Sequence, residues 1–433
     1  MHKQSLPILD RQDERETPLS FQEYCIDPRC LRVLKDQRIT EPTPVQASAI
    51  PAALEGRDVI AVAQPGTGKT LDFGLPALTR LAAAKPGRNR MLVLTPTREL
   101  AVQVHTVLQS MGRALGLRAV AVYGGVGMAP QTKALRRGVD IVVACPGRLL
   151  DHINRGNARF DDLSMLVLDE ADRMLDMGFL PDIRRILNVL PKRRQTMMFS
   201  ATFPQEIERL AADFQRDPVR VEIGRGATPV EAVRQGVYTV HPKGKLGLLT
   251  KLLAGRDVAS ALVFLRTKHR TDRVAEALHK AGFKAQAIHG GRTQGQRQRA
   301  LDGFRNGRYR ILVATDVAAR GLDIQGITHV VNYDIPTCSD DYIHRIGRTA
   351  RASADGDAIT FVCPEDHQAL GTIERALGRS LPREEWDGAV PVRSGYQSAR
   401  ERRPGRRGPA SRSGRGPSRR RQKTKRGYPR REI

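Results

Sequence analysis

The chain predicts an α/β architecture: two consecutive parallel-sheet domains followed by a disordered, basic C-terminal tail. Three observations carry that expectation. Short aliphatic and β-branched runs without polar alternation recur between helical segments, the pattern of strands buried on both faces. A length of 433 residues, at about 150 per domain, leaves room for two or three cores. From about Val390 onward Arg, Gly, Ser and Pro replace nearly every apolar residue, a composition too poor in apolar surface to form a core.

Composition narrows the function classes. Hydrophobic residues make up 40% of the chain and charged residues 27%, as in a globular protein, yet the net charge is +26 and the pI about 10.6. Polyanionic partners follow from that imbalance. Residues 391–433 hold 16 Arg or Lys against Glu401 and Glu432, a net +14, so the remainder of the chain is basic too. Cys25, Cys30, Cys145, Cys338 and Cys363 form no Cys-x-x-Cys pair and have no zinc-like His spacing; they read as reduced thiols of a cytoplasmic protein. Residues 1–20 are polar and flexible in this reading. Met1 to Glu16 lacks an apolar signal core and no later stretch reaches the length of a membrane span, so neither export nor anchoring is expected.

The first domain is expected over 21–222. Phe21 opens a weakly helical segment ending near Arg38. Pro42 and Pro44 then fix a turn that presents Gln46 at the start of an apolar helix, Ala47 to Leu54. Its amide offers a donor and an acceptor, as an adenine edge requires, although a helix-start glutamine needs no ligand. Strands are expected at Val59–Val62, Met91–Leu94, Val139–Ala144, Met165–Leu168 and Thr196–Phe199. The first delivers Ala63-Gln64-Pro65-Gly66-Thr67-Gly68-Lys69-Thr70, a phosphate-binding loop in which Gly66 and Gly68 take positive φ and aim N–H groups inward. Lys69 reaches terminal phosphates as a point charge and the Thr70 hydroxyl suits Mg²⁺. The strict pattern asks for Gly where Ala63 stands. Pro76 should kink or shorten the following helix.

Each expected strand ends in polar residues, where an open parallel sheet binds its ligands. Leu94 leads into Thr95-Pro96-Thr97-Arg98-Glu99-Leu100, Ala144 into Cys145-Pro146-Gly147-Arg148, Leu168 into Asp169-Glu170-Ala171-Asp172, and Phe199 into Ser200-Ala201-Thr202. Asp169 suits Mg²⁺ and Glu170 can accept a proton from water. Two acids also suit a bare helix N-terminus; their company with Gly68-Lys69-Thr70 is what points to ATP hydrolysis. Gly224, Gly226 and Pro229 mark a linker, 223–238. A second domain over 239–382 has strands expected at Ala261–Leu265, Lys284–Ile288, Ile311–Ala314, Val330–Tyr333 and Ile359–Val362, without a second phosphate loop. It supplies arginines: Arg348 and Arg351, three apart in His344-Arg345-Ile346-Gly347-Arg348-Thr349-Ala350-Arg351, suit a γ-phosphate, while Arg345 reads as a solvated cation. Residues 383–433 form the tail.

In this order, the motifs over residues 21–380 closely resemble the DEAD-box ATP-dependent RNA helicases, whose signature is Asp169-Glu170-Ala171-Asp172. The resemblance implies two tandem RecA-like domains and RNA-stimulated ATP hydrolysis coupled to local, non-sequence-specific separation of short RNA duplexes. It implies that Phe21 stacks on adenine, that Gln46 reads it, and that residues 63–70 hold the phosphates. Mg²⁺ would fall to Thr70 and Asp169, the attacking water to Glu170, the ribose to Asp323, and the γ-phosphate to Arg348 and Arg351. Ser200, Thr202 and His344 would couple hydrolysis to strand separation. RNA would be touched by Pro96, Thr97, Arg98, Gly124, Gly125, Pro146, Gly147 and Arg148, and across the cleft by Thr267, Gln294, Arg297 and Thr315. Pro65, Cys145, Arg38 and Gly291 depart from the usual pattern. Met174 to Phe179, Phe199 to Pro204 and the tail resemble the bacterial RhlE-type branch. A clamp or scaffold with little unwinding stays open, and the RNA target and protein partners, in ribosome assembly or RNA decay, stay unnamed.

Overall fold

The computed structural model describes residues 20–63, 68–222, 233–255, 258–319, 326–349 and 356–386. The first sheet is built from β1 (Val59–Val62), β2 (Met91–Leu94), β3 (Ala119–Val122), β4 (Ile141–Ala144), β5 (Met165–Asp169), β6 (Gln195–Ser200) and β7 (Val219–Glu222). Its order is β3-β4-β2-β5-β6-β1-β7, and every pairing is parallel. The second contains β8 (Val233–Thr239), β9 (Ala261–Leu265), β10 (Ala285–Ile288), β11 (Ile311–Thr315), β12 (His329–Asn332), β13 (Gly356–Val362) and β14 (Arg383–Glu384) in the order β10-β11-β9-β12-β13-β8-β14, again all parallel.

Continuous apolar runs suit these strands because successive side chains point to opposite faces, and both faces are covered. In β2, Met91 and Val93 enter one core while Leu92 and Leu94 enter the other. In β9, Ala261, Val263 and Leu265 divide likewise from Leu262 and Phe264. Two sandwiches of helix, sheet and helix result, one per half.

Several expectations need correction. Val233–Thr239 is a strand of the second sheet, not linker, and Arg383–Glu384 pairs with it, so the second domain begins before 239 and extends beyond 382. β3 and β7, absent from the sequence reading, form the two edges of the first sheet. The helix after the phosphate loop runs 15 residues, Lys69–Ala83, so Pro76 does not shorten it to its own position. Near the start, the expected segment is a short 3₁₀ turn, Phe21–Glu23, and a helix, Pro28–Asp36. The glutamine helix begins earlier than expected, at Pro44. Among the described residues no helix is long and apolar enough to cross a membrane.

Candidate nucleotide and nucleic-acid site

The phosphate loop and the four polar motifs of the first domain lie at the carboxyl ends of β1, β2, β4, β5 and β6, as parallel pairing requires. Ala63 is buried and its N–H donates to the Ser200 carbonyl at 3.0 Å, tying the loop's start to β6. Gly68 takes φ +83° and opens the helix Lys69–Ala83; a Cβ there would stand 2.6 Å from Gln46 Nε2. Gln46 itself is 2% exposed. Its Oε1 accepts the Thr43 N–H at 2.9 Å and its Nε2 donates to the Gly68 carbonyl at 3.1 Å. The amide therefore braces the phosphate loop, with one N–H and one lone pair left over. Phe21, expected to stack on a base, is 2% exposed and packs in the first domain's core, so stacking requires that ring to be uncovered. Gln64, Pro65, Gly66 and Thr67 lie outside the described residues.

Lys69 is buried, with Nζ donating to the Ser200 carbonyl at 3.4 Å. Burial pulls its ammonium below the ordinary range, against the opposing pull of Asp169, Asp172, Glu170 and Asp72. Thr70 is half-buried beside it. Asp169 ends β5 and is 4% exposed; burial, and then the neighbouring Glu170, push its carboxyl up to about 7. A carboxylate and a hydroxyl are the hard oxygen donors that Mg²⁺ takes together with phosphate oxygens and water. Asp169 and Thr70 thus fit that ion.

Glu170 holds φ +54° and ψ +56°, a left-handed backbone uncommon for a side chain of its size. Its Oε2 accepts from Arg173 Nη1 at 2.7 Å. Burial alone would raise the carboxyl, but Arg173, Arg348 and Lys69 together hold it below the usual range. Asp172 does the joining: Oδ2 accepts from the Ala201 N–H at 3.1 Å, the Thr202 N–H at 2.8 Å and Thr202 Oγ1 at 3.1 Å. The Asp172 N–H donates in return to Ser200 Oγ at 3.1 Å. Ser200 and Thr202 are thereby locked to the acidic motif.

From the second domain, Arg348 is buried, and its charge acts on Glu170 and on His344. His344 is half-buried, and burial, reinforced by Arg173 and Arg348, keeps its imidazole below the ordinary value. Arg345 corrects the sequence reading: it is 4% exposed, not solvated. It grips both Asp316 oxygens at 2.6 and 2.7 Å and donates to Asn332 Oδ1 and the Asp334 carbonyl. Asp323 and Arg351 lie outside the described residues.

A cavity of about 310 Å³ collects much of the expected nucleic-acid set, including Pro96, Thr97, Arg98, Gly124, Gly147 and Arg148. Gly125 adopts φ +81°, and a side chain there would collide with the Arg98 guanidinium. Pro146 is buried at the first turn of its helix. Thr267 is exposed and caps the helix Lys268–Lys280, and Thr315 ends β11, half-buried. Gln294 and Arg297 come from the second domain, Arg297 lining the same cavity. Both are buried against Glu99 of the first domain, Gln294 Nε2 donating to Oε1 and Arg297 Nη2 to Oε2, each at 2.9 Å.

The sequence reading missed Glu99, Asp172 as the joining carboxylate, and Arg173. It also missed Asp72, fully buried with no partner for either carboxylate oxygen. A charged residue inside the apolar helix Lys69–Ala83 was the one signal for the last.

Residues 43–210 match the DEAD/DEAH box helicase family and residues 244–353 the helicase conserved C-terminal domain. DEAD-box ATP-dependent RNA helicase CshA of Geobacillus kaustophilus is 44% identical over 364 residues, 84% of this chain and 78% of that protein. CshA of Bacillus subtilis is 42% identical over 84% of this chain and 74% of that protein. Among solved structures, S. cerevisiae Dbp5 bound to RNA and ADP BeF3 superposes with a TM-score of 0.77 at 32% identity, covering 86% of this chain and 96% of that one. These relatives carry the CshA name rather than the RhlE name of the expected branch. With two parallel-sheet RecA-like domains and this extent of identity, the chain belongs to the DEAD-box ATP-dependent RNA helicases.

Proposed function

We propose that the cleft between the two sheets hydrolyses ATP and uses the cycle to separate short RNA duplexes locally, with the roles divided among the residues above. The observation that carries this division is that Arg348 of the second domain lines one small cavity with Arg173, whose guanidinium donates to Glu170 Oε2 at 2.7 Å, so a second-domain cation stands beside the first-domain acidic motif. Lys69 and the loop before it bind phosphate. Bound Mg²⁺, held by Asp169 and Thr70, would supply charge neutralisation on the phosphates. Glu170, kept ionised by its cations, orients the attacking water as a hydrogen-bond acceptor, and Arg348 neutralises charge developing on the transferred group. Asp172 transmits the state of this site to Ser200 and Thr202. Arg98 and Arg148 hold RNA phosphates, which positions a strand without reading its bases.

Glu170→Gln should abolish most ATP hydrolysis while nucleotide still binds, Lys69→Ala should weaken both, and Arg348→Ala should depress hydrolysis while largely sparing binding. Equal binding loss in the Lys69 and Arg348 variants would refute the division. A chain that keeps its cellular role in the Glu170→Gln form would favour a clamp over an unwinding enzyme. Membership of the RhlE-type branch rests on Met174 to Phe179, Phe199 to Pro204 and the tail; a cytoplasmic site of action, and partners in ribosome assembly or RNA decay, rest on the family alone.

A further inference from the structure

Opposite the cleft, at the amino ends of the first sheet's strands, lies a second cavity of about 390 Å³. That volume is in the range of small-ligand pockets. Its walls come from the loop entering β2 (Arg88, Asn89), the helix preceding β4 (Arg136) and the loop entering β5 (Arg159, Asp161, Asp162). Parallel pairing sends all three segments to the edge remote from the nucleotide motifs.

The floor is rigid. Asn89 is 2% exposed and sits in the left-handed region at φ +51°. Its N–H donates to the Val139 carbonyl at 2.6 Å and its Nδ2 to the Arg159 carbonyl at 2.7 Å. Beneath it, Arg90 pairs with Asp140 at 2.6 Å. The Arg88 N–H fixes Asp162 Oδ2 at 2.9 Å. Two demands remain unmet. Asn89 Oδ1 is buried without a hydrogen-bond partner, and such an acceptor calls for a donor. The guanidinium groups of Arg88, Arg136 and Arg159 are exposed, and none makes an ion pair among the described residues. Exposed Arg118, Arg137 and Arg155 stand on the adjoining turns of the same edge.

We propose that this cavity seats a ribonucleotide unit of an RNA strand, giving the first domain a second RNA contact outside the cleft. A nucleotide offers both missing partners at once: phosphate oxygens for the arginines, and a ribose hydroxyl or base amine for Asn89 Oδ1. An acidic peptide supplies carboxylates and backbone N–H donors too, but the further exposed arginines along the same edge favour a long polymer that carries a negative charge at every unit. The neighbouring arginines extend the site into a track along which a strand continues.

The test uses the full chain and two labelled single-stranded RNAs, a 10-mer that fills only the cleft and a 40-mer long enough to reach around the domain. Arg88→Glu with Arg159→Glu should weaken 40-mer binding without nucleotide and reduce the slope of log affinity against log salt by about 1 to 2. It should leave 10-mer binding with a non-hydrolysable ATP analogue, and ATP turnover at saturating 10-mer, unchanged. Arg209→Glu with Lys280→Glu makes the same charge change on other exposed faces and should leave the 40-mer slope nearly intact. Equal effects of the two pairs would overturn the site in favour of general charge. An unchanged 40-mer slope would overturn it too, as would oligo-glutamate that binds the parent chain and is lost from the variant, which would assign the face to an acidic protein. Circular dichroism and ATP-analogue affinity confirm folding, and Arg136→Glu alone, on an exposed helix face, should reproduce a smaller slope change.

Discussion

Asp172 and Asp72 show how differently one carboxylate can sit in the same domain. Asp172 is saturated, taking three hydrogen bonds from Ala201 and Thr202 on a single oxygen. Asp172→Ala should leave those backbone donors orphaned, cost about 1–3 kcal/mol in urea denaturation, and lower the number of duplexes separated per ATP more than it lowers ATP turnover. Asp72 is the reverse case, with both oxygens buried and without a hydrogen-bond partner on the buried face of a mostly apolar helix. Asp72→Ala should therefore stabilise the chain by about 1–3 kcal/mol at neutral pH by the same assay. A loss of stability instead would mean that the carboxylate is compensated by Lys69 more fully than burial allows. The two were not equally legible: the acidic motif announces Asp172, whereas nothing but its company of apolar neighbours marks Asp72.

At the scale of elements, strands were readable where both faces are covered. β2, β4, β5 and β6 are buried at every position, and a short, continuous aliphatic run suits little besides a central strand. The edges escaped for the same reason inverted. β3 and β7 keep one neighbour each and are only partly buried, so Val219-Arg220-Val221-Glu222 carries charges that a central strand would exclude. β8 hides behind Gly236 and an alternation of Val233, Gln235 and Val237 that resembles a mixed linker until the β13 pairing gives it a partner. In the first sheet, the edge around β7 is tied down by Asp58, which enters β1 and accepts the N–H groups of Thr196 at 2.6 Å and Arg216 at 2.7 Å. Asp58→Ala should strip two buried or half-buried donors and cost about 2–4 kcal/mol of first-domain stability, visible as an earlier urea transition with cleft residues untouched.

For the whole molecule, the motif order gave the two-domain plan and the polar segments that the first sheet gathers at the carboxyl ends of its strands, but contacts between halves were out of reach. Glu99 and Gln294 stand 195 positions apart, and neither residue type signals the other. The tail, residues 391–433, holds a net +14; its deletion should flatten the salt dependence of RNA binding while ATP turnover at saturating RNA persists. Glu99 sets a further condition on the encounter. Its carboxylate shares a cavity lining with Arg98 and Arg148 and is paired with Arg297, while Gln294 donates to its other oxygen. On the proposed function, parting of the halves would uncover that negative charge at the mouth of the groove proposed for RNA. One residue would thus reward closure and discourage RNA from settling on a parted form, a bias against unproductive loading. Glu99→Gln should tighten RNA binding in the absence of nucleotide and narrow the difference in affinity that ATP makes, measured by titrating labelled RNA with and without a non-hydrolysable analogue.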